Sequence, residues 1–133
     1  YINLKEVGEN SYKIIMSTEL IGISHKERMI VATAVRYLRD YFPEYSQLQD
    51  SFDKEEYVRI AKINAILRLA DAMDRSHKQK FKNVRAAVKG KELVITIETD
   101  DDIALEKALF DAKVSYFENI FSIKPVVKEK RVY

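Results

Sequence analysis

The sequence predicts an α+β fold. A helical bundle occupies residues 1–80, and residues 81–133 form a small antiparallel sheet (a hairpin plus one strand) with one packed helix. Three observations carry this reading. Up to about Lys78, apolar residues recur at helical spacing behind two capping-box signatures, Ser24-x-x-Glu27 and Asp53-x-x-Glu56. From Asn83 to Glu98 the pattern turns to alternation around Gly90 and Lys91, as in a hairpin. After Asp100, Asp101 and Asp102 a further helical run ends before a short β-branched stretch containing Pro125. At 133 residues the chain is most simply one domain, able to bury roughly two thirds of its unfolded surface.

Each element follows from local residues. A first helix is expected from about Asn10 to Leu20, with Tyr12, Ile14, Ile15 and Met16 as its apolar side. The second opens at the Ser24 box, which puts His25 at the first, exposed helical position. Met29, Ala32 and Val35 continue one face, and Pro43 closes the helix. The polar stretch PEYSQLQDS reads as a loop. A third helix then runs from the Asp53 box, with Phe52 and Tyr57 at hydrophobic-staple spacing, to about Lys78. Ile60, Ile63, Leu67 and Ala70 form one stripe; Ile66, Leu69 and Met73 form another. Little of this helix is left for water, which makes it the centre of the core.

The hairpin joins NVRAAVK to ELVITIE through a two-residue turn, glycine first as type II′ prefers. Pairing Val88 with Leu93, Ala86 with Ile95 and Val84 with Ile97 puts six apolar residues on one face. Arg85 then faces Thr96, Ala87 faces Val94, and Lys89 faces Glu92. In the next helix Leu105, Leu109 and Ala112 make one stripe, and Phe110, Val114, Phe117 and Phe121 a second. A last strand, Ile123 to Val127, joins the hairpin at an edge, where Pro125 is tolerated.

Composition excludes some chemistry. Without cysteine there is no thiol catalysis, disulfide or thiolate metal site, a composition that fits a reducing cytoplasm. No apolar run reaches the roughly 20 residues that span a bilayer, and no signal peptide is visible. The chain starts at Tyr1, which suggests a fragment of a longer protein. Net charge is only +2, but it is unevenly placed. Arg75, Lys78, Lys80, Lys82 and Arg85 lie in an acid-free stretch with His77, whereas Glu98, Asp100, Asp101, Asp102 and Glu106 cluster separately. Both can be solvated helix ends. The basic stretch can equally bind a polyanion.

Four charged groups sit in the apolar end of the third helix: Arg68, Asp71, Asp74 and Arg75. Burying them is costly unless each is paired. Asp71 lies three residues after Arg68 and four before Arg75, both ion-pair spacings. Arg36 or Arg39 of the second helix can complete such a buried network.

The segment AILRLADAMDRSH, with the earlier GISHKERMIVATAVRY and the later LEKALFDAKVSYFENIF, resembles the C-terminal region of the Ppx/GppA family. These are exopolyphosphatases and guanosine pentaphosphate phosphatases. The likeness covers nearly the whole chain in the same order, and RLADAMDRSH is its most specific part. It implies two preceding actin-like domains that hold the hydrolytic site, followed by an HD-like helical domain. Only three glycines occur, dispersed at Gly8, Gly22 and Gly90, so no phosphate loop of the actin-like kind is present. The resemblance therefore implies an accessory domain without the parent's catalytic residues and with no cofactor of its own. The parent is expected to use a divalent cation such as magnesium.

In the HD comparison Asp71 matches the last metal-binding aspartate. No adjacent His-Asp pair occurs, and the histidines expected in EVGENSYKI and at Leu38 are absent. His25 and His77 are badly placed to join Asp71. The four charged groups then read as a vestigial site kept as a structural lock. The expected function is polyphosphate or pppGpp binding through the full-length protein, together with assembly of a homodimer. Candidate anion-binding residues are Arg75, Lys78, Lys80, Lys82 and Arg85, with Arg36 and Arg39 behind them. Two alternatives stand beside it: a metal-dependent HD-type phosphohydrolase, and a nucleic-acid-binding domain. The latter lacks a helix-turn-helix signature or an RNP-like aromatic run, so no nucleic-acid partner is expected.

Overall fold

The computed structural model describes residues 4–17, 22–74 and 82–131. The chain divides into two compact units, Tyr1–Leu67 and Arg68–Tyr133.

The first unit holds α1 (Leu4–Ser17), α2 (His25–Arg36), the single turn α3 (Tyr45–Leu48) and most of α4 (Lys54–Met73). Both predicted capping boxes form. Ser24 Oγ accepts from the Glu27 amide at 3.1 Å while Glu27 Oε1 accepts from the Ser24 amide at 3.0 Å. Asp53 and Glu56 repeat this reciprocity at 2.8 and 3.0 Å. His25 is exposed at the first helical position, as expected. The hydrogen bonds with Ser24, backbone first, hold the Glu27 carboxyl below its ordinary pKa. Replacing the cap, Ser24→Ala, is expected to cost about 1 kcal/mol, read as a lower urea midpoint. A carboxyl with a depressed folded pKa stabilises above its unfolded pKa and loses that contribution as pH falls through the folded one. Alanine keeps the backbone amide, so only the share of the Ser24→Ala deficit that acts on the carboxylate through the hydroxyl shrinks in acid.

Three predicted boundaries need correction. α1 begins at Leu4, earlier than Asn10; residues 18–21, at its expected end, lie outside the described residues. α2 stops at Arg36, well short of Pro43. There the Leu38 amide turns to Val35 O at 3.1 Å, a tighter bond than the helix uses, and the ladder ends. Within the expected loop, α3 forms a turn in which the Glu44 amide donates to Gln47 Oε1 at 3.0 Å.

The core of this unit is Ile30, Ala34, Phe52 and Ile60, with Met29, Phe42, Leu48 and Ile63 packed against it. α1 packs on α2 with Gly8 facing the Arg36 carbonyl, so closely that a Cβ would strike it. α4 is less wrapped than its composition suggests. Ile60, Asn64, Ala65, Leu69 and Ala72 are buried, whereas Ile66 is 52% exposed and Ala70 is exposed. Its buried stripe is single, and a polar residue sits inside it. Asn64 is wholly buried and its Nδ2 donates to Ala34 O at 2.8 Å.

In the second unit β1 (Asn83–Lys89), β2 (Glu92–Thr99) and β3 (Lys124–Arg131) form a sheet in the order β1-β2-β3. The hairpin has the predicted register throughout. Gly90 takes φ +61° and Lys91 no positive φ, as a type II′ turn needs. β3 lies at an edge, as Pro125 indicates, but runs parallel to β2, so the sheet is mixed rather than antiparallel. The reason is the intervening α5 (Ala104–Phe121), a crossover that carries the chain back to the starting end of β2. Ser122 ends α5 in the left-handed conformation and donates to Glu118 O at 2.8 Å.

α5 buries its second predicted stripe: Phe110, Phe117 and, in the first turn, Glu106 are buried, while Leu105 is 53% exposed. A carboxylate there is favoured by the positive end of the helix. Lys107 of α5 pairs with Glu129 at 3.4 Å, and Glu129 is the register partner of Ile97. α5 therefore covers the face of Leu93, Ile95 and Ile97. That cover does not extend over β1, whose every residue is exposed, including Val84 and Val88. Among the described residues no helix is long and apolar enough to cross a membrane.

Candidate functional site

The end of α2 builds a concave place within the first unit, where Arg36 and Arg39 lie beside Asp40 and Glu9. A cleft of about 350 Å³ is lined by Arg36, Tyr37, Asp40, Tyr41 and Phe42, among others. Arg39, with Asp40 and Tyr41, borders a shallower hollow of about 240 Å³. Arg36 is the last residue of α2, and its guanidinium lies 5.5 Å from the Tyr12 ring centre and 5.4 Å from that of Tyr37. Glu9 reaches it only at 3.8 Å, and both side chains remain over a third exposed. Two rings thus orient the fork while leaving it reachable. Tyr41 stands 93% exposed at the rim.

Below the cleft a run of rings stiffens the wall. Tyr37 meets Phe42 edge-on at 6.3 Å, Phe42 stacks on Tyr57 at 5.5 Å, and Tyr57 stacks on Tyr45 at 5.5 Å. Tyr57 Oη donates to Pro43 O at 2.6 Å, which ties the chain after the cleft to α4. Burial, and then the Glu44 charge, push the Tyr57 phenol above its ordinary pKa, so it stays a donor at neutral pH. Sequence reading placed Arg36 and Arg39 among the weaker candidates and missed this cleft. The dense aromatics of YLRDYFPEY were its only signal, and they read equally well as core.

Of the other basic candidates, Lys82 and Arg85 are described and belong to the second unit. Arg75, Lys78 and Lys80, with His77, are outside the described residues. Lys82 holds Asp100 Oδ2 at 2.9 Å, and that hydrogen bond chiefly raises its pKa. Arg85 is exposed on β1. The acidic cluster is spent locally. Asp100 takes Lys82, and Asp102 Oδ1 accepts from the Ala104 amide at 3.0 Å as α5 begins. Thr99 Oγ1 accepts from the Asp101 amide at 3.1 Å.

At the end of α4, Arg68 lies 4.7 Å over the Tyr116 ring of α5. Arg68, Asp71 and Asp74 are half-buried and each is engaged by neighbours; Arg75 is outside the described residues. Tyr116 is a partner that no spacing along α4 could reveal. Among the described residues no three histidine or carboxylate side chains converge as metal ligands.

No curated protein matches the chain. Compared with known families, residues 1–116 match Ppx/GppA phosphatase, domain III. That stretch takes in both capping boxes, the cleft, the hairpin and most of α5. The chain therefore belongs to the Ppx/GppA phosphatase family, as its domain III.

Proposed function

We propose that this accessory domain binds dense phosphate polyanions, polyphosphate or pppGpp, for a parent phosphatase, and helps assemble that parent as a homodimer. Chemistry, and any divalent cation, belongs to actin-like domains of the same protein. The observation that carries the binding half is the Arg36 cleft. It is a guanidinium near two tyrosine rings, reachable from solvent, with Arg39 at the adjoining hollow. A planar fork so oriented suits phosphate oxygens through paired, charge-assisted hydrogen bonds. Asp40 lines both the cleft and the hollow, so the two arginines must outweigh its charge for phosphates to run along them. Arg75, Lys78, Lys80, Lys82 and Arg85 are proposed as a separate set of anion-binding candidates; Lys82 must first leave Asp100. Arg68, Asp71, Asp74 and Arg75 are assigned the role of a structural lock.

The test compares two sets of variants at low salt, using labelled medium-chain polyphosphate. Arg36→Ala with Arg39→Ala is expected to weaken binding by about tenfold or more, since each charged hydrogen bond is worth roughly 1.5–3 kcal/mol. Lys78→Glu, Lys80→Glu and Lys82→Glu together are expected to weaken binding more than they lower the unfolding midpoint. Unchanged affinity in both sets would remove the binding assignment.

A further inference from the structure

Three residues of α1 converge on the end of α2. Gly8 faces the Arg36 carbonyl where a Cβ would strike it, so the two backbones come close there. Glu9, the next residue, puts its Oε1 3.8 Å from Arg36 Nη2. Tyr12, one turn further on, sets its ring centre 5.5 Å from the same guanidinium. Among the described residues, Glu9 is the carboxylate within ion-pair reach of Arg36. Their separation is too long for a hydrogen bond, and the Glu9 side chain is 38% exposed. Asp40 is held differently. Its Oδ1 accepts from the Tyr41 amide at 2.8 Å, which ties it to the backbone at the cleft. Glu9, on a long side chain without a hydrogen bond to the fork, can swing away.

We infer that Glu9 is a built-in competitor for phosphate: its carboxylate neutralises Arg36 until a phosphate chain displaces it, and so sets how tightly the cleft binds. This rests on the polyanion half of the proposed function and names the residue that regulates it. A carboxylate and a phosphate suit the same planar fork. Any anion that enters must therefore first part Arg36 from Glu9. An anion that reaches Arg36 alone trades one negative partner for another and gains little. A phosphate chain that also reaches Arg39, at the adjoining hollow, replaces one loose contact with several. Glu9 thus keeps the hold on each phosphate weak, as a surface that must release its chain requires. Stability does not explain the pair, since exposed ion pairs contribute little to it. The close approach at Gly8 already joins α1 to α2 without a charge.

The test is the affinity of the whole 133-residue chain for labelled medium-chain polyphosphate, measured across a salt series. Glu9→Gln keeps the shape and removes the charge. It should tighten binding by about two- to fivefold, the range an exposed ion pair is worth. The slope of log affinity against log salt should steepen by roughly 0.7, because one more phosphate is neutralised. Circular dichroism and the urea midpoint should move little. Glu55→Gln is the control. Glu55 pairs with Arg59 at the same 3.8 Å in the same unit, and the net charge changes equally. Its effect should be much smaller. In an Arg36→Ala background Glu9→Gln should gain no more than that control, because the carboxylate has no cation left to hold. Suppose that Arg36→Ala weakens binding but Glu9→Gln weakens it too, matches Glu55→Gln, or keeps its gain without Arg36. Glu9 is then no competitor, while the polyanion reading stands. Binding that Arg36→Ala leaves unchanged removes Glu9 and the cleft but spares the lysine set. No binding at low salt overturns both the inference and the reading beneath it.

Discussion

Asn64→Ala is expected to destabilise the chain by about 3 kcal/mol, read from urea unfolding. The side chain is wholly buried, and its amide satisfies the Ala34 carbonyl at 2.8 Å. That carbonyl lies in the last turn of α2, where the Leu38 amide that would normally reach it bonds to Val35 O instead. Alanine leaves a buried acceptor unpaired, at roughly 1–3 kcal/mol, and adds a small cavity. Asn64→Asp separates the hydrogen bond from the volume. The shape is kept, but an oxygen without a proton faces the carbonyl at neutral pH. Burial and that carbonyl raise the new carboxyl's folded pKa. The deficit therefore grows as pH rises through the unfolded pKa and shrinks in acid, where the protonated group can donate. A pH-independent deficit in Asn64→Asp would show that packing, not the bond, is what Asn64 supplies.

Gly8→Ala is expected to cost about 2 kcal/mol, although alanine is the better helix former. In an exposed helix the exchange gains roughly 1 kcal/mol. Here the new methyl meets the backbone carbonyl of Arg36, which cannot rotate away as a side chain would. Parting α1 from α2 to make room costs more than the propensity gain, since overpacking typically costs 1–3 kcal/mol and occasionally more. The same displacement moves Tyr12 relative to Arg36, so polyphosphate affinity should fall with stability. Lys13→Ala, on the exposed side of α1, serves as the control. A stabilised Gly8→Ala protein would mean that the two helices do not approach this closely.

These two residues mark where sequence reading stops. What depends on neighbours along the chain was legible. The Ser24 and Asp53 boxes and the hairpin register each follow from residues a few positions apart, or from one turn that fixes a whole strand pair. What depends on distant elements was not. Asn64 drew no reading from the sequence, because nothing local says that a carbonyl thirty residues away needs it. Gly8 gave no turn signal because it serves a helix–helix approach. The direction of β3 was misread because its edge position was inferred from Pro125 alone, while direction is set by the α5 crossover. At the candidate site, Arg36 and Arg39 were legible as basic residues but not as a cleft. The rings of Tyr12 and Tyr37 that orient Arg36 come from two different parts of the chain.

The central claim is that this domain III carries a phosphate-binding surface of its own. Its most direct test is the affinity of the whole 133-residue chain for labelled polyphosphate across a salt series. Counterion release makes log affinity fall linearly with log salt, with a slope set by the number of phosphates neutralised. Binding in the micromolar range, with a steep slope that becomes shallower in Arg36→Ala with Arg39→Ala, is the predicted result. No binding at low salt, or binding whose slope those substitutions leave unchanged, would contradict it.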